Sequence, residues 1–553
     1  MKLHPLISLF SLLISPLVAT PLEVAFDDFE YIGRDSVFVD EVPRGHFQNP
    51  ILAGCYPDPS ICRAGETFYL VNSTFAYFPG LPLFQSRDLV NWTQIGHVID
   101  RPGQMNFNGR GVSEGLFAPA ITHHRGRFYV VCTMVGAGGN FVVTADNPAG
   151  PWSDPVWLKF GGIDPSLFFD DDGRAYLVGN DGPAGKPLYD GHRAIWLQAF
   201  DPEKLAVFGP RHRLIDGGVD LAKKPVWIEG PHLYRRDGWY YLCAAEGGTG
   251  PNHSQVIFRS REIVGPYEPG PMNPILTQRG LDAFHPEAVT NTGHADLIEG
   301  PDGSWWAVFL GSRPYEGRFY ATGRETFLLP VSWPAGEWPL ILPAGKRLPL
   351  RPPAPRPAAA SASIPLTGNF AWRDDFTRPA LDPLWTMLRA PSKAWWDLEL
   401  RPGQLVMRPL SATLSGRENP AYLGRRVQHR HFSASLRLEI PTTPGVSAGL
   451  AAFQGESHHF FLAVRRDPDG AEIFLERHAG APGVIAARTT IPNGSGAIEL
   501  RLVADDRRLS CAYATRPGDW RNLGGTEDAT ILTTDAAGGF VGATVGPHTR
   551  LEP

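Results

Sequence analysis

The sequence predicts an all-β protein in which a five-bladed β-propeller is followed by a β-sandwich, and two observations lead to this prediction. Five short aromatic strand cores, each after a Gly-containing turn, recur at regular intervals before residue 343. The pattern stops at a Pro/Ala-rich segment, and alternating strand-like runs continue after it. A chain of 553 residues has the length of two or three domains, and its 60 Gly and 53 Pro provide many turns.

The first 20 residues have the pattern of a secretory signal. Lys2 gives a small positive region, an apolar run follows from 6 to 17, and the small residues Ala19 and Thr20 come next. The apolar run is too short to span a bilayer. We therefore interpret residues 1–20 as a cleaved signal and expect a secreted, extracellular protein. The alternative is that these residues form an N-terminal strand or helix of the fold.

Residues 45–342 contain the fivefold repeat. A charged, polar or small residue stands 11 or 12 positions before each strand core, and the series is Asp58, Ala118, Asp164, Glu229 and His294. Successive members are about 45 to 65 residues apart, which is the length of four short strands with turns, or one propeller blade. Equivalent positions of successive blades face one central channel. The repeat therefore predicts that two aspartates, one glutamate and one histidine converge in space.

Residues 343–363 form the predicted linker, since their Pro/Ala-rich sequence favours an extended, semi-rigid chain. Residues 364–553 have alternating runs and turn signals without the blade pattern, which predicts a sandwich. We expect this sandwich mainly to pack against the propeller, with ligand binding as the alternative.

Charge and cysteine content exclude several classes of protein. The net charge of −6 and a pI near 6.3 indicate neither nucleic-acid nor membrane binding. The five cysteines are an odd number for a secreted chain. Cys55 and Cys62 could pair, and no spacing suggests a zinc site.

The three acids of the repeat suggest acid–base chemistry. Asp58 and Asp164 each precede a proline and follow weakly polar segments, so we expect both to be buried. Burial and neighbouring carboxylates raise the pKa of a carboxyl group, so at least one of the three should hold a proton near neutral pH. Separated protonation states are what cleavage of a glycosidic bond requires. A single Asp-Pro more often forms a turn, but three acids in register favour a site.

Five motifs resemble, in order, those of glycoside hydrolase family 43. They are Tyr56-Pro57-Asp58-Pro59-Ser60, Gly162-Ile163-Asp164-Pro165-Ser166, Ile228-Glu229-Gly230-Pro231-His232, Gly293-His294 and Gly323-Arg324-Glu325-Thr326. The β-xylosidase and α-L-arabinofuranosidase branch of that family also carries a C-terminal concanavalin-A-like sandwich, so the resemblance covers nearly the whole mature chain. It implies a five-bladed propeller and an inverting hydrolase that requires no cofactor. Asp58 would be the general base, Glu229 the general acid, and Asp164 the residue that orients the acid and tunes its pKa.

The resemblance also implies substrate-binding residues. Arg324 matches an arginine that reaches the sugar in the −1 subsite, with a surface ion pair to Glu325 as the alternative. Phe75 and Phe117 match positions that line this subsite, although the family more often has Trp at the latter and Phe75 could be core packing. In the family, the histidine at the position of His294 often lies near a hydrated ion. Two alternatives are therefore open for His294, namely a nearby calcium ion and a channel histidine without metal.

The end of the chain departs from the family pattern. Family sandwiches usually continue with another strand past the motif resembling Gly538-Gly539-Phe540-Val541-Gly542, whereas this sequence stops at Pro553. We therefore expect the last strand to be missing or replaced, and whether the sandwich contributes to the pocket rim is left open.

Three functions are compatible with the sequence. The first is an exo-acting inverting glycosidase that removes terminal β-D-xylose or α-L-arabinofuranose from plant cell-wall xylan or arabinoxylan chains. The second is a retaining fructan-cleaving propeller enzyme, whose Arg-Asp-Pro and Glu-Cys motifs are absent here, since Ile163 precedes Asp164 and Gly230 follows Glu229. The third is a non-catalytic carbohydrate-binding propeller, which would not need all three acids.

Overall fold

The computed structural model of the protein describes residues 22–355, 365–492 and 496–552. The predicted signal at 1–20 lies outside the described residues, as do positions 356–363 of the predicted linker. The described ranges are nearly all β, as the sequence predicts, and their helical elements are single turns. These turns are Ser36–Phe38, Leu221–Lys223, Ala529–Leu532 and Thr534–Ala537.

Five antiparallel sheets form the blades of the propeller, in chain order. The first contains Ser60–Ala64, Thr67–Val71, Gly80–Ser86 and Thr93–Ile99. The second contains Gly115–His124, Arg127–Val135, Gly139–Ala145 and Val156–Trp157. The third contains Ile163–Phe169, Ala175–Asp181, Ala194–Asp201 and Ala206–Asp216. The fourth contains Glu229–Arg236, Trp239–Glu246, Ser254–Ser260, Glu268–Pro269 and Leu276–Thr277. The fifth contains Thr290–Glu299, Trp305–Ser312 and Glu325–Val331.

The first strand of each blade lies at the centre of the ring. These strands pack against one another from blade one to blade five, and the first strand of blade five packs against that of blade one. The ring is closed on the outside by a pair of backbone hydrogen bonds between Leu52, which precedes blade one, and Thr326 of blade five. The two ends of the propeller chain are thereby joined, and the innermost strands surround a common channel.

A shared backbone irregularity occurs where each innermost strand begins. The residues with positive φ at this place are Asp58, Ala118, Asp164, Gly230 and His294, with φ between 38° and 55°. In blades two to five the strand pairing shifts there by one residue, as in a β-bulge. The repeated position in blade four is therefore Gly230, and the predicted register is wrong by one residue for Glu229.

Two sheets form the sandwich. The first contains nine strands in the described residues, namely Val24–Gly33, Ala371–Asp374, Trp396–Asp397, Leu405–Met407, His431–Glu439, Ala497–Asp505, Arg508–Ala514, Arg521–Asn522 and Glu527–Asp528. The second contains Arg425–Arg426, Val446–Gly455, His458–Asp467, Gly470–Ala479, Val484–Pro492 and Thr544–Leu551. The strand Val24–Gly33 precedes the propeller in sequence yet pairs with His431–Glu439 inside the first sheet.

The end of the sandwich differs from the prediction. Thr544–Leu551 follows the Gly-Gly-Phe motif and pairs with Val446–Gly455 on one side and Arg425–Arg426 on the other. The last strand is therefore present and lies inside the sheet, so the expectation that it is missing or replaced is wrong.

One apolar cluster of buried residues spans the propeller and the sandwich. It contains Leu70 of blade one and Val308 of blade five together with Leu436 and Leu450 of the sandwich. A small sheet of Tyr77–Phe78 and Met387–Leu388 also joins the two domains. In the described part of the predicted linker, Leu348 and Leu350 are buried against blade five. The domains are thus held in a fixed relation by packing.

All five cysteines are buried and unpaired, so Cys55 and Cys62 do not form a disulfide. Within the described ranges, no helix has both the length and the apolar character needed to cross a bilayer.

Candidate active site

A cavity of about 570 Å³ opens where the innermost strands begin. Residues from all five blades and from the sandwich line it, including Asp58, Phe117, Ala118, Asp164, Glu229, His294, Arg324 and Phe540. Six of the seven predicted site residues are thus brought together on its wall. The seventh, Phe75, is buried one layer behind, in edge-to-face contact with the ring of Phe117 at 4.9 Å. Its predicted contact with substrate stays a prediction.

Asp58 is surrounded by groups that stabilise its charged form. Arg324 Nη1 donates a hydrogen bond to Oδ1 at 2.8 Å, and Ser73 Oγ donates to Oδ2 at 2.6 Å. His294 Nδ1 lies 3.5 Å from Oδ1. Burial by itself would raise the pKa of Asp58, but the Arg324 guanidinium, His294 and the Ser73 hydroxyl more than offset it and hold the pKa below its usual value. Asp58 is therefore ionised at neutral pH and able to accept a proton.

The other two acids are shifted in the opposite direction. Burial, together with the negative charge of Asp58, raises the pKa of Asp164 to about 7. Burial and the charges of Asp164 and Asp58 raise the pKa of Glu229 well above its usual value. The cavity therefore contains an ionised carboxylate and a protonated carboxylic acid at the same pH, the combination that acid–base catalysis requires.

Arg324 is held inside the cavity. The open alternative, an ion pair between Arg324 and its neighbour Glu325, does not form. Glu325 is fully buried and instead accepts two hydrogen bonds from Arg313, at 2.7 and 2.9 Å. Arg313 also donates to Asp35 at 2.8 Å, in the segment that follows the N-terminal strand. The two neighbouring side chains at the start of the strand Glu325–Val331 thus point in different directions, with Arg324 towards Asp58 and Glu325 towards the domain interface.

The sandwich contributes Phe540 to the wall of the cavity. Its ring is stacked on Phe75 at 6.2 Å with an interplanar angle of 17°, and it meets Phe117 edge-on at 5.6 Å. The backbone carbonyl of Phe540 accepts a hydrogen bond from Arg324 Nη2 at 3.3 Å, and its N–H donates to Ser113 Oγ at 2.9 Å. The sandwich therefore reaches the site, a question that the sequence left open.

His294 lies beside the ionised carboxylate at the inner end of the cavity. A side chain at Gly230 would collide with this imidazole, because an added Cβ would lie 2.5 Å from His294 Nε2. Burial lowers the pKa of His294 to about 4, so the ring is neutral. In the parts of the chain that the structure describes, no three His, Cys, Asp or Glu residues are arranged to hold a metal. Calcium near His294 therefore stays a prediction.

Several residues of the cavity lining had no signal in the sequence pattern. They are Ser113, Glu114, Asn180, Arg193, Trp227 and Thr249, which lie on loops between strands or at strand ends. Trp227 stands two positions before Glu229, so its proximity to the acid could have been inferred. The others could not, because the loops that carry them do not repeat from blade to blade.

The propeller with its three channel acids defines a glycoside hydrolase of the carboxylate type. A sequence profile described as "Glycosyl hydrolases family 43" matches residues 47–339, and one described as "Beta xylosidase C-terminal Concanavalin A-like domain" matches residues 373–549. The chain belongs to glycoside hydrolase family 43, and the resemblance seen in the motifs is confirmed.

Similar proteins extend over nearly the whole chain. A "Xylosidase/arabinosidase" of Butyrivibrio fibrisolvens is 38% identical over 90% of this chain and 94% of its own length. A non-reducing end alpha-L-arabinofuranosidase of Bacteroides ovatus is 36% identical over 91% of both chains. Among solved structures, a GH43_12 protein retrieved from capybara gut metagenome has 40% identity and a TM-score of 0.90, with 96% of this chain and 99% of that chain covered. A xylan beta-1,4-xylosidase from Bacillus halodurans has 32% identity and a TM-score of 0.82, covering 91% and 96%.

Proposed function

We propose that this family 43 hydrolase removes terminal β-D-xylose, α-L-arabinofuranose or both from xylan or arabinoxylan chains, with inversion of configuration. The observation that supports this most directly is the separation of protonation states between Asp58 and Glu229 in one cavity. The names of the similar proteins, which include xylosidases and arabinofuranosidases, favour pentose substrates.

In the proposed reaction, Asp58 accepts a proton from a water molecule as the water oxygen forms a bond to the anomeric carbon. Glu229 gives its proton to the glycosidic oxygen as the bond from that oxygen to the anomeric carbon breaks. Asp164 accepts a hydrogen bond from the backbone N–H of Gly230, which fixes it beside the acid, and its charge keeps Glu229 protonated until transfer. Exchange with solvent then returns both carboxyl groups to their starting states.

The shape of the cavity favours action at chain ends. Phe117 and Phe540 form an aromatic wall against which the apolar face of a sugar ring can stack, and Arg324 directs its remaining donors into the same space. We propose that one terminal sugar occupies this inner space and that the rest of the chain leaves through the mouth. Residues 1–20 support secretion, so the substrate would be encountered outside the cell.

The test is hydrolysis of an aryl β-D-xyloside, an aryl α-L-arabinofuranoside and arabinoxylan by the wild type and by Asp58→Ala, Asp164→Ala and Glu229→Ala. We expect release of monosaccharide and a loss of at least about 100-fold in kcat for each variant. Asp170→Ala is the control, since Asp170 is a buried aspartate outside the cavity that bonds Arg235 and Tyr240.

Three outcomes would contradict the proposal. Early release of xylo-oligosaccharides of mixed length would indicate an open cleft. Hydrolysis of fructans instead of pentosides would support the fructan-type alternative. Tight binding of xylo-oligosaccharides by a wild type that cleaves none of them would support a carbohydrate-binding protein.

A further inference from the structure

The outer part of the cavity has a wall formed by Arg193, Trp227, Gly248 and Thr249. It adjoins Glu229, because Trp227 stands two residues before this acid and the charge of Arg193 acts on it. A general acid must lie within hydrogen-bond reach of the oxygen that it protonates. The sugar unit attached to that oxygen must therefore leave the inner cavity past this wall.

Arg193 is the unusual member of the wall. Its guanidinium carbon lies 4.3 Å from the centre of the Trp227 ring, a cation–π contact. Among residues 22–355, 365–492 and 496–552, the guanidinium has no hydrogen bond or ion pair. Arg324 in the same cavity, in contrast, is bonded to Asp58 and to a carbonyl oxygen. A half-buried arginine with five N–H donors and no acceptor is suited to bind oxygen atoms of a ligand.

The backbone on both sides of Arg193 is fixed. Trp227 N–H donates to the carbonyl of Gly191 at 2.8 Å, and Gly217 N–H donates to the carbonyl of Arg193 itself at 2.9 Å. The arginine is thus placed between two anchored loops and stacked on an anchored ring. Little conformational freedom remains to be lost when a ligand binds.

We propose that Arg193 binds the aglycone, donating hydrogen bonds to hydroxyl and ring oxygens of the neutral pentose unit on the leaving side of the scissile bond. The inference rests on the proposed function and adds a residue that selects between leaving groups. A neutral pentose is the expected unit at this position, because the proposed substrates are xylan and arabinoxylan chains. An aryl leaving group lacks the hydroxyl oxygens that Arg193 would bind.

A competing explanation is that Arg193 acts through Glu229. Its positive charge counteracts the rise in the pKa of that acid, so its loss would alter proton donation to any leaving group that needs a proton. Both roles affect the disaccharide more than an aryl glycoside with a good leaving group, so the pH profile has to separate them. An effect on Glu229 shifts the basic limb of the profile and is restored by any cation, whereas loss of aglycone binding leaves this limb in place.

The experiment compares Arg193→Met and Arg193→Lys with the wild type on two matched pairs of substrates. The pairs are xylobiose with aryl β-D-xyloside, and arabinofuranosyl-xylose with aryl α-L-arabinofuranoside, so that either pentose preference provides one informative pair. Arg261→Met is the control, because Arg261 is stacked on Trp239 at 3.6 Å outside the cavity. The pH dependence of kcat/KM is recorded for each variant.

We expect Arg193→Met to lose about 10- to 100-fold in kcat/KM on the disaccharide and less than about threefold on the aryl glycoside, the scale of one or two charged hydrogen bonds. The lysine variant should be intermediate on the disaccharide. Equal losses on both members of a pair would overturn the inference. So would a shift of the basic limb on the disaccharide in the methionine variant that the lysine variant reverses. A wild type that cleaves no pentoside would refute the proposed function instead.

Discussion

Replacing Arg324 with methionine should move the acidic limb of the kcat/KM pH profile to higher pH. Asp58 must be ionised to act as the base, and Arg324 Nη1 lies only 2.8 Å from its Oδ1. An opposite charge at such a distance lowers the pKa of an aspartate by about 1 to 3 units. Without it, the burial of Asp58 dominates and its pKa rises, although Ser73 and His294 still stabilise the charge. The acidic limb should therefore move upward by about 1 to 3 pH units.

The assay is kcat/KM on an aryl glycoside between pH 3 and pH 9, because this ratio reports the ionisation of the free enzyme. Arg324→Lys keeps the charge but loses the two-pronged hydrogen bonding, so its limb should move less while kcat/KM still falls. Arg259→Met is the control, since Arg259 forms an ion pair with Glu268 at 2.8 Å away from the cavity. An acidic limb that stays in place in Arg324→Met would refute the role assigned to this ion pair.

Three further predictions concern the acid, the aromatic wall and the domain interface. Glu229→Ala should reduce kcat at least about 100-fold on xylo-oligosaccharides. The loss should be far smaller on an aryl glycoside with a good leaving group, because that group departs without protonation. Equal losses on both substrates would contradict the role of Glu229 as the acid. Phe540→Ala should lower kcat/KM by about 10-fold, because the Phe540 ring makes two aromatic contacts of about 1 kcal/mol each that order the wall. Phe208→Ala is the control, because Phe208 is exposed outside the cavity and its loss should leave kcat/KM unchanged. In urea unfolding, His431→Gln should lose roughly 2 kcal/mol at pH 6 and almost nothing at pH 10.

The pH dependence expected for His431→Gln follows from the upward shift of the pKa of His431. The carboxylates of Asp35 and Asp506, 3.4 and 3.6 Å from the two ring nitrogens, raise the pKa of His431 to about 9 from an ordinary value of 6.5. A raised pKa stabilises the folded state fully below about 6.5, and the contribution disappears as the pH rises through about 9. A stability difference between wild type and variant that is the same at both pH values would contradict it.

The sequence predicted the architecture and the three acids because both depend on local patterns that repeat. The innermost strand of each blade has a residue with positive φ near its start, so Asp58, Asp164 and His294 could be aligned by counting from the strand cores. Counting failed by one residue at Glu229, because the bulge of blade four has Gly230 at the strained position. Glycine tolerates positive φ, and the channel histidine leaves no room there for a Cβ.

Long-range contacts could not be read from the pattern. The strand Val24–Gly33 completes a sheet whose other members lie more than 300 residues later. Phe540 reaches the cavity only because the sandwich packs against the propeller. Arg193 reaches it only because its loop is hydrogen-bonded to the segment that precedes blade four, through Gly191 and Trp227. Such contacts depend on tertiary packing rather than on local sequence.

In the proposed reaction, Asp58 activates water while Glu229 protonates the leaving oxygen. The most direct test is proton NMR of the first product formed from an aryl β-D-xyloside or α-L-arabinofuranoside, recorded before the free sugar equilibrates. A single displacement by water predicts that the product appears first as the anomer opposite to that of the substrate. A first product with the configuration of the substrate would require two displacements through a covalent intermediate and would contradict the claim.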